Sequence, residues 1–470
     1  MAKPEEVLKK MGDENIRWVD LQFVDIAGFL HHITIPAHQL DAEAFSQGIG
    51  KLDGSSVRGF KEIFESDMVV VPDADTYARI PWENNTARFF CNINEAFGGG
   101  RFEKDPRYIA QRAEEAVRSA GFTASYWGPE IEFFVFDATT VDGVVPFRSQ
   151  GYSLDSREAA WNSYGQNYPI DFRQGYCKAP PQDTLQLFRA QVSEMLEENF
   201  NITVEAHHHE VATAGQCEID IRYDELVRSA DNTITYKYVI KNTAAANAML
   251  ATFLPKPIFG DNANGMHTHQ SLWKGDRNAF YDATDKYAEM SQTMRYYIGG
   301  LLEHAAALCA LCAPTTNSYK RLAAGMEAPV YIAWGKRNRS AAVRIPVYFK
   351  GIEKSKRVEC RIPDPSCNPY LAFAAMAAAG LDGIKKKRDC GDPVDEDIYR
   401  LDEKKRKELG IKELPSKLED ALAALESDHA FLKGIFTQDI IDAHLELKRE
   451  EIRQNNIRPT PYEFKTYLNI

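Results

Sequence analysis

Up to Gly100 the chain is built of short runs in which apolar and polar residues alternate, as in Ile16 to Phe23 and Met68 to Pro72, with turn residues between them. Period-two alternation sends successive side chains to opposite faces of a strand, so this stretch predicts a small β-rich unit. Gly98, Gly99 and Gly100 mark its expected end. From Asp105 the period changes. Ile109, Ala113, Ala116 and Val117 recur at helical spacing, and Gly121 stands where a helix stop belongs. Further helices then alternate with short strands at Ile131 to Phe136, Cys217 to Tyr223 and Arg357 to Ile362. The Gly-, Pro-, Asn- and Ser-rich ground between Val141 and Pro181 reads as loop outside the core. The pattern predicts a mixed α/β body behind the small β unit, with no fixed repeat and no low-complexity segment.

Composition narrows the class. At 470 residues, 44% hydrophobic and 26% charged, the chain is a globular protein too long for one ordinary core. Its 56 basic and 68 acidic residues leave a net charge of −12, which argues against nucleic-acid binding by phosphate neutralisation. The amino-terminal MAKPEEVLKKMGDEN lacks the apolar core of a signal peptide, and the longest apolar stretch, Leu371 to Leu381, is too short to cross a bilayer. A cytoplasmic protein with neither nucleic-acid nor membrane partners is expected. Its 8 cysteines are scattered; Cys309 and Cys312 form a CxxC within HAAALCALCAP, which reads as buried helix rather than a redox or zinc motif.

Four segments carry candidate chemistry. In GPEIEFFVFD, Glu130 and Glu132 share one strand face with Phe134 and Phe136, so two carboxylates enter a partly apolar setting and repel unless a cation joins them. In VEAHHHEVATAGQCEI, a small-residue turn from Ala212 to Gly215 can fold Glu218 back towards Glu210. The three adjacent histidines lack HExxH spacing and read mostly as satisfied core or loop residues; a carboxylate-rich site suits magnesium or manganese better than zinc. In KPIFGDNANGMHTHQSLW, His267 and His269 alternate onto one face behind a loop from Gly260 to Gly265 that can expose its backbone to a ligand. Last comes an arginine series, Arg321, Arg337, Arg339, Arg344, Arg357 and Arg361, the final two flanking Glu359 on one strand face among apolar neighbours. Carboxylates for divalent metal beside guanidinium groups for anions point to phosphate chemistry on an acidic small substrate. No GxxxxGK[ST] occurs, so the chemistry is not that of a P-loop.

In this order the segments resemble glutamine synthetase, in its long bacterial type I form. The likeness extends to LDGSS with Glu65-Ser66-Asp67 downstream, PTTNSYKRLAAGMEAPV, RNRSAAVRIP, VECRIPDPSCNPYLAF and the terminal NIRPTPYEF, nearly the whole chain. The resemblance implies an α+β fold with a β-grasp-like domain over residues 14–103 and, over 104–470, a catalytic domain with a curved antiparallel sheet. It implies ATP-dependent ligation of ammonia to L-glutamate through a γ-glutamyl phosphate, central to ammonium assimilation, with two or three Mg2+ or Mn2+ per site. Glu132, Glu210 and Glu218 match the tighter metal site, and Glu130, His267 and Glu359 the second. Arg321, Arg361, Asn262 and the backbone of Ala263 match the glutamate site. Arg339, Arg344 and Arg357 match groups that meet phosphate, while Glu205, Tyr223, His269, Ser271 and Lys354 match nucleotide contacts. Asp53, Ser56, Tyr176, Glu210 and Glu327 match the ammonium pocket, with Asp53 as base and Glu327 as the flap residue that shields the intermediate from water. The family's assembly is two stacked hexamers, with Asp53 supplied by the neighbouring subunit and the segment around Pro461 to Ile470 reaching the opposite ring.

Departures from the family pattern also stand out. Ala263 and Asn264 replace a usual Gly-Ser, and Lys61-Glu62-Ile63 lies where the short-form branch has a feedback-sensing arginine. Tyr399 occupies the position that an adenylyltransferase modifies in many long forms, though Glu396 stands where a basic residue is usual. Three rival readings remain at this level. A γ-glutamyl ligase acting on polyamines or other amines would need a roomier amine pocket. A non-catalytic homologue would have eroded metal ligands, and phosphotransfer without amide formation would leave the ammonium set unexplained.

Overall fold

The computed structural model describes residues 2–142, 151–162, 168–323 and 328–470. Its amino-terminal sheet contains β1 (Trp18–Val24), β2 (Leu30–Pro36), β3 (Ile49–Asp53), β4 (Asp67–Pro72), β5 (Ala78–Arg79) and β6 (Thr86–Glu95). The order is β2-β1-β6-β4-β3, with β5 along β6; β1 and β6 run parallel and the other pairs antiparallel. Val19, Leu21 and Phe23 alternate into the core as the sequence predicts. The opposite face, Asp20 and Gln22, is buried too. The helix Pro4–Asp13, absent from the sequence reading, adds Val7 and Met11 to the same core.

The larger sheet takes β7 (Ala124–Phe136), β10 (Val204–His209), β11 (Gln216–Ile221), β14 (Met266–Lys274), β16 (Tyr331–Lys336), β17 (Ala341–Ile345), β18 (Val358–Cys360) and β19 (Lys412–Glu413). Their order is β10-β11-β7-β14-β18-β17-β16-β19; short strands β12 (Asp224–Glu225) and β13 (Leu250–Thr252) pair with β7, and β15 (Arg277–Asn278) with β14. The sheet is curled and antiparallel save for β16 and β17, which run parallel, a departure from the all-antiparallel expectation. Helices cover its back. Pro106–Ser119 begins on an Asp105 cap that accepts from the Arg107 N–H at 3.0 Å, and it buries Ile109, Ala113 and Val117. Pro369–Lys386 buries the whole apolar run from Leu371, and Ala305–Cys312 buries Cys309 and Cys312. All eight cysteines are free thiols.

A buried ion-pair network ties the two sheets' helices together. Arg107 donates to Asp231 through Nε (3.0 Å) and Nη2 (2.9 Å), to Asp73 at 2.7 Å and to Asn92 at 2.8 Å, while the Tyr370 hydroxyl donates to Asp231 at 2.6 Å. One guanidinium fork thus joins the amino-terminal unit to two helices of the catalytic body, in the bidentate geometry that arginine favours.

The ground between Val141 and Pro181 differs from expectation. β8 (Ala138–Asp142) and β9 (Gly151–Asp155) form a hairpin, and beyond it Ala159, Ile170, Ser156 and Glu158 are buried. Among the described residues no helix is long and apolar enough to cross a membrane.

Candidate active site

Sheet register assembles the acidic positions. β7 sets Glu132 opposite Glu218 of β11 and Glu130 opposite His267 of β14. β14 sets His269 opposite Glu359 of β18, which faces Arg344 of β17, and β10 sets His208 opposite Glu218. Residues paired in register share a face, so side chains from six strands gather on one surface. The turn after Glu210 brings this about: Gly215 has φ 68, and a Cβ there would lie 2.3 Å from the Val135 carbonyl oxygen.

Two ligand clusters result. Glu130, His267 and Glu359 place one ligand atom each within 4.8 Å of one another, as do His208, Glu210 and Glu218. Glu132 adjoins the second cluster, its Oε2 accepting from the Gly265 N–H (2.9 Å) and Gln216 Nε2 (3.1 Å). Of the histidine trio, His207 is half-buried against Arg189 and His209 is buried against Glu158, whereas His208 stands 3.6 Å from Glu210 and 3.9 Å from Glu218.

The clusters differ in charge balance. Burial pushes the Glu132 carboxyl up to about 8, reinforced by Glu210. Burial also raises Glu218 well above the usual carboxylate range, with Glu210, Glu132 and Glu130 adding to it. In the other cluster burial opposes ionisation, but hydrogen-bonding and charged partners win. His269 and His267 hold Glu130 well below its ordinary value, and Arg361 and His269 take Glu359 down to about 2. Arg361 donates to Glu359 at 2.6 Å, and Arg344 pairs with the same carboxylate. Burial, followed by Arg361, pushes His267 down to about 4, leaving a neutral imidazole. The Glu132 side therefore crowds more carboxyls than the protein's cations compensate, and protons make up the difference. Carboxylate oxygens with one imidazole per cluster are a donor set that fits magnesium or manganese.

Beside Glu130 opens a cavity of about 470 Å³ lined by the five candidate nucleotide contacts Glu205, Tyr223, His269, Ser271 and Lys354 and by the phosphate arginine Arg357, together with Tyr126, Asp220 and Trp273. Arg357 Nε donates to His269 Nδ1 (3.2 Å), which fixes the proton on Nε2, and that nitrogen donates to Glu130 at 2.7 Å. Buried Arg344 Nε and Asp220 Oδ1 have no partner among the described residues. Both are atoms of the kind a phosphate–metal assembly would satisfy.

The remaining candidates lie around this surface. Arg321 is buried, donating to the backbone oxygens of Ile362 (2.8 Å) and Arg361 (3.0 Å). Asn262 and Ala263 are in the loop over Glu132, where the Ala263 carbonyl accepts from Gln216 at 3.2 Å. Asn264, the departure beside it, is buried and bridges Leu254 O (2.9 Å) to Gln216 (3.0 Å). Arg339 is exposed, and Tyr176 is exposed with its ring 5.4 Å from that of His208. Asp53 is exposed at the end of β3. It accepts from the Ser55 N–H (2.9 Å), Ser55 Oγ (2.7 Å) and Ser56 Oγ (3.0 Å), which hold its carboxyl below the ordinary value. These partners all belong to its own loop and none to the catalytic body. Tyr399 is half-buried, its hydroxyl donating to the Ala328 carbonyl. Glu327 lies outside the described residues.

Three residues with site contacts escape the sequence reading: His208, Gln216 and Asp261. Asp261 collects the N–H groups of Arg173 (3.1 Å), Asn262 (3.0 Å) and Thr213 (2.7 Å), joining three loops. Gln216 was detectable only as a polar residue on the face opposite Cys217; nothing in the local pattern marks Asp261.

Comparison with known proteins gives one consistent result. Residues 15–96 match the family model "Glutamine synthetase, beta-Grasp domain" and residues 103–467 match "Glutamine synthetase, catalytic domain". A glutamine synthetase of Sulfolobus acidocaldarius is 53% identical over 99% of this chain and 98% of the relative. A Plasmodium falciparum glutamine synthetase structure is similar at TM-score 0.89 and 27% identity, covering 99% of both chains. A GmaS–ADP complex is similar at TM-score 0.82 and 27% identity, also over 99% of both chains.

Proposed function

The chain belongs to the glutamine synthetase family, and from that premise we propose how its residues share the formation of glutamine from glutamate, ammonia and ATP. What supports the division of labour is the pair of acid–histidine clusters on one sheet face, bordered by a phosphate-sized set of arginines and a 470 Å³ cavity. A carboxylate resists attack by ammonia because its leaving group would be oxide. Transfer of the ATP γ-phosphoryl to glutamate's γ-carboxylate makes a γ-glutamyl phosphate whose leaving group is phosphate. Arg339, Arg344 and Arg357 stabilise charge on the moving phosphoryl group, and the orphan Arg344 Nε is a donor free for it. Arg361 and Arg321, with Asn262 and the Ala263 backbone, hold the amino-acid end. Glu205, Tyr223, His269, Ser271 and Lys354 line the nucleotide cavity.

Glu132, Glu210 and Glu218 would hold one divalent ion, and Glu130, His267 and Glu359 another. Bound there, magnesium or manganese would neutralise the carboxylates and polarise phosphate oxygens. Ammonium is a cation, so its pocket is anionic: Asp53, Ser56, Tyr176, Glu210 and Glu327, with Asp53 taking the proton. Hydroxyl donors that keep Asp53 ionised suit a base reserved for a cationic substrate. Its exposure supports a site completed by a neighbouring subunit, and Ile63 and Phe64, both exposed a few residues along, are apolar surface suited to an interface.

The assembly follows as a dodecamer of two stacked hexamers. Exposed Tyr462, Phe464, Tyr467, Leu468 and Ile470 on and after the helix Pro461–Tyr467 leave an apolar segment for the opposite ring. The long type I subtype is part of this reading, with Tyr399 as the residue an adenylyltransferase would modify. Its hydroxyl must first leave Ala328. Free thiols suit the cytoplasm.

Purified protein given glutamate, ATP, magnesium and ammonium should release phosphate and form glutamine in equal amounts. The nearest rival reading within the same fold is a γ-glutamyl ligase for a larger amine. Phosphate release that requires putrescine and ignores ammonium would select it.

A further inference from the structure

We propose that Glu158, acting through His209, is a positioning residue for Glu210 and Tyr176; this rests on the metal and ammonium roles given above. Glu158 and His209 are both buried, Glu158 in a stretch that composition marks as loop and His209 at the end of β10. His209 Nε2 lies 3.2 Å from Glu158 Oε2, and its Nδ1 lies 2.6 Å from the Glu210 carbonyl oxygen. A carbonyl only accepts, so Nδ1 carries a proton. The contact at Nε2 then needs a single shared proton. Glu158 Oε1 is committed as an acceptor of the Thr184 N–H and the Thr184 hydroxyl (2.8 Å), which holds the carboxyl in place against the ring.

The effect on the site is specific. The Glu210 N–H donates to Gln216 O at 2.8 Å, its carbonyl accepts from His209, and its Oε2 accepts from the Val211 N–H at 2.9 Å. Both peptide planes of a candidate ligand are therefore pinned, one of them by the Glu158–His209 pair. The segment bearing Tyr176 is fastened to the same strand end, with Gly175 N–H donating to Val211 O (3.0 Å) and Cys177 N–H to His209 O (3.0 Å). A Cβ at Gly175 would sit 2.4 Å from the Glu210 carbonyl oxygen and 2.7 Å from His209 Cε1, so no side chain can intervene. Groups that orient a metal ligand from behind commonly control affinity and rate as strongly as a ligand does.

The test uses the full-length protein carrying Glu158→Ala, Glu158→Gln or Thr184→Val. Each is titrated with manganese alone and then assayed for the ammonium KM and the ATP KM. Glu158→Ala should weaken one of two manganese sites and raise the ammonium KM, each by about 10- to 100-fold, with the other manganese site and the ATP KM unmoved. Glu158→Gln should restore most of both, because its amide can donate to His209 Nε2 while its oxygen still accepts from Thr184. Thr184→Val should shift both constants in the same direction by less. Unchanged manganese and ammonium constants in Glu158→Ala would overturn the proposal. If that variant does not fold, unchanged constants in Thr184→Val would overturn it. Equal weakening of both manganese sites would also do so, since a general loss of structure gives that result. Wild-type protein that binds manganese but ignores ammonium would refute the ammonia reading instead, and the manganese titration would still judge Glu158.

Discussion

Adding manganese to metal-free protein should expel protons, and the number can be worked out from the carboxyls at the site. Glu132, at about 8, is ~90% protonated at pH 7 and yields ~0.9 of a proton on binding metal. Glu218, raised above its ordinary value, adds to that release. Glu130 and Glu359 are already ionised and His267 is already neutral, so that cluster yields none. Release should reach at least about 0.9 of a proton per subunit at pH 7 and fall by about 0.8 at pH 9, where Glu132 has lost its proton unaided. Because Glu132, Glu210 and Glu218 repel one another, the yield belongs to the group as a whole. Calorimetric titration in buffers of different ionisation enthalpy measures it directly. Glu132→Gln should remove about one proton at pH 7 and abolish turnover while leaving the fold intact. A yield near zero at pH 7, or one that is the same at pH 7 and pH 9, would refute this charge balance.

The same shift links pH to the stability of the metal-free protein. The folded Glu132 carboxyl holds its proton up to about 8 against 4.5 for an ordinary glutamate, so its contribution to stability is fullest below 4.5, declines as pH rises towards 8, and recovers with manganese. Thermal melts across that window, with and without metal, would show it. Arg107→Met strands Asp231 in the interior and leaves half-buried Asp73 without this partner, and should cost about 3–5 kcal/mol, read from the denaturation midpoint. Deleting residues 461–470 should halve the native mass to single hexamers, as native mass spectrometry can determine, without changing the subunit's own melting.

Much of the site could be read from alternation alone. Glu130 and Glu132, His267 and His269, and Arg357, Glu359 and Arg361 are same-face sets on single strands, and a strand's period needs no tertiary information. Their meeting across β11, β7, β14 and β18 depends on register, which hydrophobic pattern fixes only by alternation and not by offset. His208 shows the limit. Of its neighbours in the trio, His209 is buried and His207 half-buried against Arg189, and only the pairing with Glu218 separates it from them. The Val141 to Pro181 ground failed for a related reason. Its Gly, Pro and Asn residues do mark turns, but turns that pack against a site can be as buried as a strand, as Glu158 and Ile170 are. The parallel β16–β17 pair carries no local mark of its direction. Asp53 entered the reading through the resemblance alone, and its own hydrogen bonds stay within its loop.

The most direct test of the account is anomalous scattering at the manganese edge from crystals soaked with manganese and ADP. It predicts two peaks per subunit, one among Glu132, Glu210 and Glu218 and one among Glu130, His267 and Glu359, each about 2.0–2.3 Å from its carboxylate oxygens. Empty density at both clusters, or a peak held by other residues, would contradict it.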